Sequence, residues 1–217
     1  MDAALGPPAE DVTRLRSYLN DLVSVVALPA LWAGSEPPQI VSTLLDALVG
    51  TLRAEFVFVR LTNPEGGGPF IVMVRVVESL KRLAREREIT EAIDSSLGDA
   101  PLKWPAHARV LVDNLDLSVA SAHLGLHGEI GGVIAGSQRR DFPVQTERLS
   151  LDVAANQAAI GLQQARLLSE QRRVAQELDE RVAQRIGELA RANENTARTR
   201  AHFALARGQH SSDTIVQ

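Results

Sequence analysis

The chain has 217 residues, a formal net charge of -4 and no cysteine. At roughly 100–200 residues per domain, this length accommodates one domain with an extension, or two small domains. The lack of cysteine excludes disulfides, thiolate metal sites, cysteine nucleophiles and cofactors attached through a thioether. The weak acidity argues against a nucleic-acid-binding protein, because such a protein usually has a basic surface. We therefore expect no nucleic-acid partner.

The sequence shows neither a membrane span nor a signal peptide. The longest apolar stretch near the start, residues 22–34, is shorter than the ~20 residues that a membrane helix needs, and it contains Pro29. The first residues lack the basic and apolar regions of a signal peptide. We expect a chain without a membrane span, located in the cytoplasm.

Two amphipathic helices are predicted near the start of the chain. Residues 1–9 are rich in glycine and proline and predict a flexible start. Residues 10–27 carry apolar side chains at steps of three and four, which is typical of a helix that covers a core. A loop with three prolines is predicted at 28–38, followed by a second amphipathic helix at 39–53.

The pattern then changes to strands. Residues 55–62 and 70–77 are rich in β-branched and aromatic residues, and the glycine-rich segment 63–69 between them predicts a hairpin turn. Both runs are apolar on both faces. The sheet is therefore expected to be covered on both sides.

The middle of the chain predicts a covering segment and three further strands. Residues 78–97 favour a helix, and 98–105 are irregular. The further strands are predicted at 109–113, 117–124 and 129–138. The elements together predict an α+β fold with a mostly antiparallel sheet of five or six strands.

Residues 145 to about 195 predict one long helix, which contains no proline. Its apolar residues follow a seven-residue repeat with one slip and are flanked by charges, as in a coiled coil. Up to residue 168 this helix is expected to close the domain 10–168. Beyond it, at 169–195, only another chain remains to cover the stripe, and 196–217 are expected to form a disordered tail. The predicted interface of a parallel homodimer comprises Leu167, Val174, Leu178, Val182 and Leu189, with Leu15, Leu19 and Leu22 of the first helix.

Three segments resemble the GAF domains of proteobacterial sensor histidine kinases. Residues 128–137, G-E-I-G-G-V-I-A-G-S, with D-F-P at 141–143, are similar to the family's penultimate strand and the turn after it. Residues 146–162, T-E-R-L-S-L-D-V-A-A-N-Q-A-A-I-G-L, are similar to its closing helix. Residues 177–194 resemble the linker that joins such sensors to a kinase. The resemblance covers residues 10 to 195 and implies a GAF-like fold and a signal-input function.

The departures from the family are also informative. Ile186 and Gly187 replace a more helix-friendly pair, and the linker pattern is lost after residue 195. No phospho-acceptor motif H-[ED]-x-x-x-P and no glycine-rich ATP lid is present, so we expect no kinase output in this chain. Thioether-linked bilin and thiol-based reductase chemistry both need cysteine. The N-K-F-D-E set of the cyclic-nucleotide branch is not found. No cofactor is predicted, and an unidentified small molecule is the expected ligand.

Two arginines on the first two strands are candidate ligand-binding residues. By alternation, Arg75 shares a face with Met73, and Arg60 shares one with Phe58. An arginine on an apolar sheet face needs a partner, which is either an anionic ligand or a carboxylate, unless it reaches solvent from a sheet edge. The carboxylates considered are Glu55, Glu78 and Glu91.

The histidines and the glycine run suggest little chemistry. His123 and His127 are four residues apart, with His107 as a third candidate, but they fall on a predicted strand end and turn, so no metal site is predicted. His123 is kept as a candidate ligand-binding residue. The run at 66–68 joins two strands rather than leading into a helix, which favours a turn over a phosphate loop. No catalytic triad or paired-carboxylate motif appears, so the chain is predicted not to be an enzyme.

These predictions give one preferred function and two alternatives. The preferred function is a sensor module of a two-component-type protein, which binds a small molecule and signals through a dimeric coiled coil. A ligand-free dimerisation or scaffold module is the first alternative, and an enzyme of unknown reaction is the second.

Overall fold

The structure of the chain, a computed structural model, describes residues 9–63, 69–126 and 128–212. In this part of the chain the α-helices are α1 (Ala9–Leu31), α2 (Pro37–Leu52), α3 (Glu78–Lys81), α4 (Glu86–Leu97) and α5 (Gln145–Ser212). The strands are β1 (Phe56–Thr62), β2 (Pro69–Val76), β3 (His107–Val112), β4 (Leu115–Leu124) and β5 (Gly131–Ser137). A 3-10 turn covers Pro101–Lys103.

The strands form a single sheet with the order β2-β1-β5-β4-β3, and every neighbouring pair is antiparallel. β1 lies between β2 and β5, and its Arg60 pairs with Val72 of β2 and with Gly132 of β5. The predicted α+β fold with an antiparallel sheet is confirmed, with five strands.

One face of the sheet, here called the α2/α5 face, packs against α1, α2 and the first part of α5. Val57, Val59 and Leu61 of β1 point into this core and are fully buried. The small residues of α5, such as Ala154 and Ala158, are also fully buried there, which lets the helix lie close to its neighbours. Burying this apolar surface is the main source of stability on this side.

The opposite face, here called the α4 face, is covered by residues 77–106 between β2 and β3. We call these residues the covering segment, or the cover. Phe56 and Phe58 alternate with the valines of β1 and are fully buried on this side. Ile89 and Ile93 of α4 pack into the same cluster, as does Trp104 after the 3-10 turn. The expectation from the two-sided apolar strands, that both faces are covered, is therefore confirmed.

Several element boundaries differ from the predicted ones. α1 does not end before Pro29 but continues to Leu31, because Leu28 and Trp32 are buried in the core of the α2/α5 face and packing outweighs the cost of the proline. The predicted helix at 78–97 is broken into α3 and α4. α5 continues to Ser212, beyond residue 195, where the tail was expected to begin.

The chain divides into two compact units, Met1–Arg166 and Leu167–Gln217. The predicted boundary, after residue 168, lies two residues further on.

Within the described residues, none of the helices combines the length and the apolar character that crossing a bilayer requires.

Candidate functional site

Arg60 is a charged side chain inside the apolar core of the α4 face. It follows Phe56 and Phe58 by strict alternation along β1, so its side chain leaves the same side of the sheet. Only 4% of the residue is exposed, although its neighbours in this core are aliphatic and aromatic. A guanidinium in such a place needs compensation, because desolvating an unpaired charge is costly.

The compensation that Arg60 receives is partial. Its Nη2 lies 2.5 Å from Oδ1 of Asp94 on α4, and its Cζ lies 5.2 Å from the centroid of the Phe58 ring. Its Nε and Nη1 are buried and have no hydrogen-bond partner among the described residues. The side chain of Asp94 is 43% exposed, so the carboxylate lies at the solvent side of the pair. A guanidinium has five N–H donors, and this one has most of them unused.

A row across three strands places His123 on the same face as Arg60. Arg60 pairs with Gly132 of β5, and Gly132 pairs with His123 of β4. Two strand spacings separate the outer residues of this row, or about 9–10 Å. Because Gly132 has no side chain, Trp104 fills the space above it: a Cβ there would lie 2.7 Å from the Trp104 ring. The indole ring of Trp104 therefore lies between Arg60 and His123.

Trp104 holds the covering segment in place. Its ring centroid lies 5.9 Å from that of Phe58, with the two planes tilted by 58°, a favourable aromatic arrangement. Its indole Nε1 donates a hydrogen bond of 3.0 Å to the carbonyl oxygen of Gly98. The residue is 3% exposed. The covering segment is thus held on the sheet by apolar packing of Trp104 and stabilised by a buried hydrogen bond.

Arg75 and Met73 lie on the other side of the sheet. Arg75 pairs with Val57 of β1, whose side chain is part of the α2/α5 core, and its Nη2 donates a 3.1 Å hydrogen bond to Oγ of Ser42. Nη2 also donates a 3.4 Å hydrogen bond to Oδ2 of Asp46, and Nε lies 2.7 Å from Oδ1 of the same carboxylate, so the contact is a hydrogen-bonded ion pair. Met73 packs against the same core. The predicted ligand residues therefore divide into two pairs on opposite faces.

The histidines are dispersed. His107 begins β3 opposite Ala120 and is exposed, and His123 is exposed near the end of β4. His127 and the glycine run 66–68 lie outside the described residues. No group of three potential metal ligands occurs in the part of the chain that the structure describes.

Arg148, near the start of α5, connects this helix to the covering segment. Its Nη1 donates to the carbonyl oxygens of Ala106 and Ser121, at 2.9 and 2.7 Å. Ser121 in turn donates from its Oγ to the carbonyl oxygen of Pro105, at 2.8 Å. Asp152 orients the arginine through an ion pair of 2.9 Å. The residues that follow Trp104 are therefore tied directly to the first turns of α5.

The predicted interface residues on α5 are exposed in the single chain. We call Leu167, Val174, Leu178, Val182 and Leu189 the α5 stripe; each residue is between 49% and 65% exposed. In the unit Met1–Arg166, Leu19 is 53% exposed and Leu22 is half-buried, whereas the side chain of Leu15 lies outside the described part. The stripe thus consists of large apolar residues without cover from their own unit.

Charged groups around the stripe pair within the helix. Arg173 contacts Glu170 at 2.6 Å and Glu177 at 2.7 Å. The hydrogen bond and the charge of Arg173 lower the pKa of Glu170, and Glu170 in turn raises the pKa of Arg173. Such exposed pairs contribute little to the stability of a helix, because solvent screens them. In the other unit, burial lowers the pKa of Arg166, whose Nη2 donates to the carbonyl oxygen of Thr62 at 3.2 Å.

Sequence reasoning missed several residues of this site. Asp94 and Trp104 carried no signal, because their contacts depend on how the covering segment folds over the sheet. Arg148 was read only as part of the closing helix. The carboxylate that pairs with Arg75 was not among the three considered. A signal for it existed, since Asp46 is the only charged residue between 37 and 52.

Comparison with known proteins gives one informative result. No protein-family model matches the sequence, and no curated protein does. Among solved structures, the chain is similar to one described as the "GAF domain of a putative sensor histidine kinase", from Pseudomonas syringae pv. tomato. The two chains are 14% identical, with a TM-score of 0.54, over 78% of this chain and 99% of the other. At that identity the likeness concerns the fold: the chain has the GAF-like fold that its closing helix and linker implied.

Proposed function

We propose that the chain is a signal-input module of a two-component-type signalling protein, which works as a parallel homodimer. A small molecule bound on the α4 face of the sheet changes the state of this dimer through α5. The role is regulatory rather than catalytic. The GAF-like fold supports a module of this class, although a fold by itself does not specify a function.

The observation that carries the proposal is the α5 stripe. Soluble monomers avoid long runs of exposed large apolar side chains. Each buried leucine or valine contributes about 1.5–3 kcal/mol, so two facing stripes can offset the association cost of about 4–15 kcal/mol. A parallel pairing is favoured because two sensor domains must pass their signal in the same direction. A second copy of this chain is therefore the proposed partner.

The contacts of Arg148 support the path from the ligand to α5. A molecule that enters beside Arg60 meets α4 and Trp104, and the residues after Trp104 are hydrogen-bonded to Arg148. A displacement of the cover is thereby passed to the first turns of α5. Such a ligand shifts the dimer only as far as its affinities for the two states differ.

Light scattering after gel filtration, combined with native mass spectrometry of the purified full chain, tests the proposal. The expected result is a dimer that carries an additional small mass on each protomer. A monomer at micromolar concentration contradicts the proposal. The mass measurement also separates it from the competing function described next.

The competing function is a ligand-free dimerisation or scaffold module. The observation that favours it is the tight filling of the α4 face, where Trp104 and Pro101 occupy the space above Gly132. A native mass equal to that of two chains, with no small molecule retained through a purification without denaturant, supports this alternative.

A further inference from the structure

We propose that Arg60 is the anchor for a small oxyanion, a carboxylate or phosphate group of the ligand, and that Asp94 is the internal anion with which this group competes. The inference rests on the proposed function, since it names the chemical class of the ligand for the same site. The pairing of Arg60 is what leads to it.

The guanidinium of Arg60 has donors that no partner fills. Asp94 occupies Nη2, and the unpaired Nε and Nη1 flank that atom on either side. Either nitrogen, together with Nη2, forms the two-pronged donor that matches the two oxygens of a carboxylate or phosphate. A buried donor without a partner costs free energy, so a ligand that fills it gains more than a surface contact would give.

Arg60 and Asp94 differ in their exposure to solvent. The side chain of Arg60 is 5% exposed, whereas that of Asp94 is 43% exposed and belongs to α4 of the cover. The cation is therefore fixed in the sheet, and the anion lies at the edge that solvent reaches. An incoming oxyanion approaches from the side of Asp94 and displaces the carboxylate without moving the arginine.

The aromatic residues beside Arg60 indicate what the rest of the ligand is like. The guanidinium of Arg60 makes a cation–π contact with the Phe58 ring, and Trp104 packs against Phe58, so the charged group lies next to two aromatic rings. This surrounding favours a molecule with an acid group at one end and an apolar or flat body at the other. The other candidate arginine, Arg75, offers no such place, because Ser42 and Asp46 hold it on the opposite face.

The experiment measures the midpoint of thermal unfolding of the full chain in sodium acetate and in sodium phosphate, against sodium chloride at equal ionic strength. Anything that binds only the native state raises this midpoint. In the Asp94→Asn variant the internal competitor is neutral and of the same shape, so the arginine is left uncompensated. We expect acetate, phosphate or both to raise the midpoint of this variant by about 2–4 °C or more, and that of the wild type by less.

Two further variants attribute the effect. Arg60→Met in the Asp94→Asn background removes the anchor and should abolish the response to both anions; if that chain does not fold, Arg60→Lys keeps the charge but lacks the fork. Arg75→Met in the same background makes an identical change of charge on the opposite face and should leave the response intact.

The outcomes are separable. A response to acetate alone assigns a carboxylate ligand, and a response to phosphate alone assigns a phosphorylated one. No response to either anion in Asp94→Asn, or an equal response without Arg60, overturns the inference. A dimer that lacks the response contradicts this inference alone, whereas a monomer that shows it contradicts the proposed function and leaves the oxyanion site standing.

Discussion

Arg75 and Asp46 form an ion pair, with 2.7 Å between Nε and Oδ1, on the face of the sheet opposite to Arg60. The pair joins β2 to α2, and both partners are open to solvent, with side chains 39% and 61% exposed. Arg75 is thus accounted for by a surface contact between two neighbouring elements. Arg60 lies three ladder positions along the same pair of strands. Its side chain is only 5% exposed, and two of its nitrogens, Nε and Nη1, have no hydrogen-bond partner among the described residues, whereas Arg75 has one such nitrogen, Nε.

The first prediction concerns this surface pair. Arg75→Met should lower the free energy of unfolding by less than about 1 kcal/mol, because exposed ion pairs contribute little and methionine keeps most of the apolar stem. Urea denaturation followed by circular dichroism measures the change. A loss of more than about 2 kcal/mol would contradict this prediction, because the contacts to Ser42 and Asp46 would then stabilise the fold more than exposed contacts do.

The second prediction concerns Arg148. Arg148→Met should lower the free energy of unfolding by about 1–3 kcal/mol, since it removes the side-chain donor of the Ser121 carbonyl oxygen and leaves the Ala106 carbonyl oxygen with only the backbone N–H of Ser121. Ser121 is only 3% exposed, so water does not readily replace that donor. Denaturant titration of the full chain gives the value.

A matched control for Arg148 is Arg140→Met, which makes the same chemical change at an exposed position just before α5. Its effect should stay within about 0.5 kcal/mol. Equal stability of the two variants would mean that Arg148 does not hold the covering segment, and the proposed path from the cover to α5 would lose its support.

The faces of the strands show how far the sequence could predict this site. Alternation along β1 correctly grouped Arg60 with Phe58, and along β2 it grouped Arg75 with Met73. It could not say which group faces which helices, because both faces of both strands are apolar and the pattern is symmetrical. The fold class, in contrast, was accessible, since two-sided apolar strands and the change from a two-residue to a helical period are local properties.

The partners of the two arginines could not be predicted from the sequence for a different reason. Asp94 is 34 residues from Arg60 in sequence, and their contact depends on how α4 crosses the sheet. Gly132 is a similar case. Its role is to leave room for Trp104, which becomes visible only when β5 and the covering segment are brought together.

The third prediction compares two helical glycines. A Cβ at Gly161 of α5 would lie 2.8 Å from the ring of the buried Trp32, whereas a Cβ at Gly50 of α2 would meet nothing within 4 Å. Gly50→Ala should therefore stabilise the chain by about 0.5–1 kcal/mol through helix propensity. Gly161→Ala should instead destabilise it by about 1–3 kcal/mol through overpacking.

Thermal and urea unfolding of both alanine variants decide this comparison, and tryptophan fluorescence reports any displacement of Trp32. If Gly161→Ala were as stable as Gly50→Ala, the close approach of α5 to the end of α1 would be wrong. The pair is well matched, because the two substitutions are chemically identical and both occur in α-helices.

The last prediction concerns the dimer, and it targets the middle of the α5 stripe. Leu178→Asp together with Val182→Asp should produce a folded monomer, because the two aspartates put four charges into a seam that otherwise excludes water. Both residues belong to the unit Leu167–Gln217, so the core of the other unit loses no contact.

Gln176→Asp together with Ala183→Asp is the control. At 3.6 residues per turn these positions lie on the opposite side of the helix, and they add the same charge. Light scattering after gel filtration should give a dimer for the wild type and the control, and half that mass for the stripe variant. Circular dichroism should show that the sheet is intact in all three. A stripe variant that stays dimeric, or a control that dissociates equally, would place the contact between two copies somewhere other than the stripe.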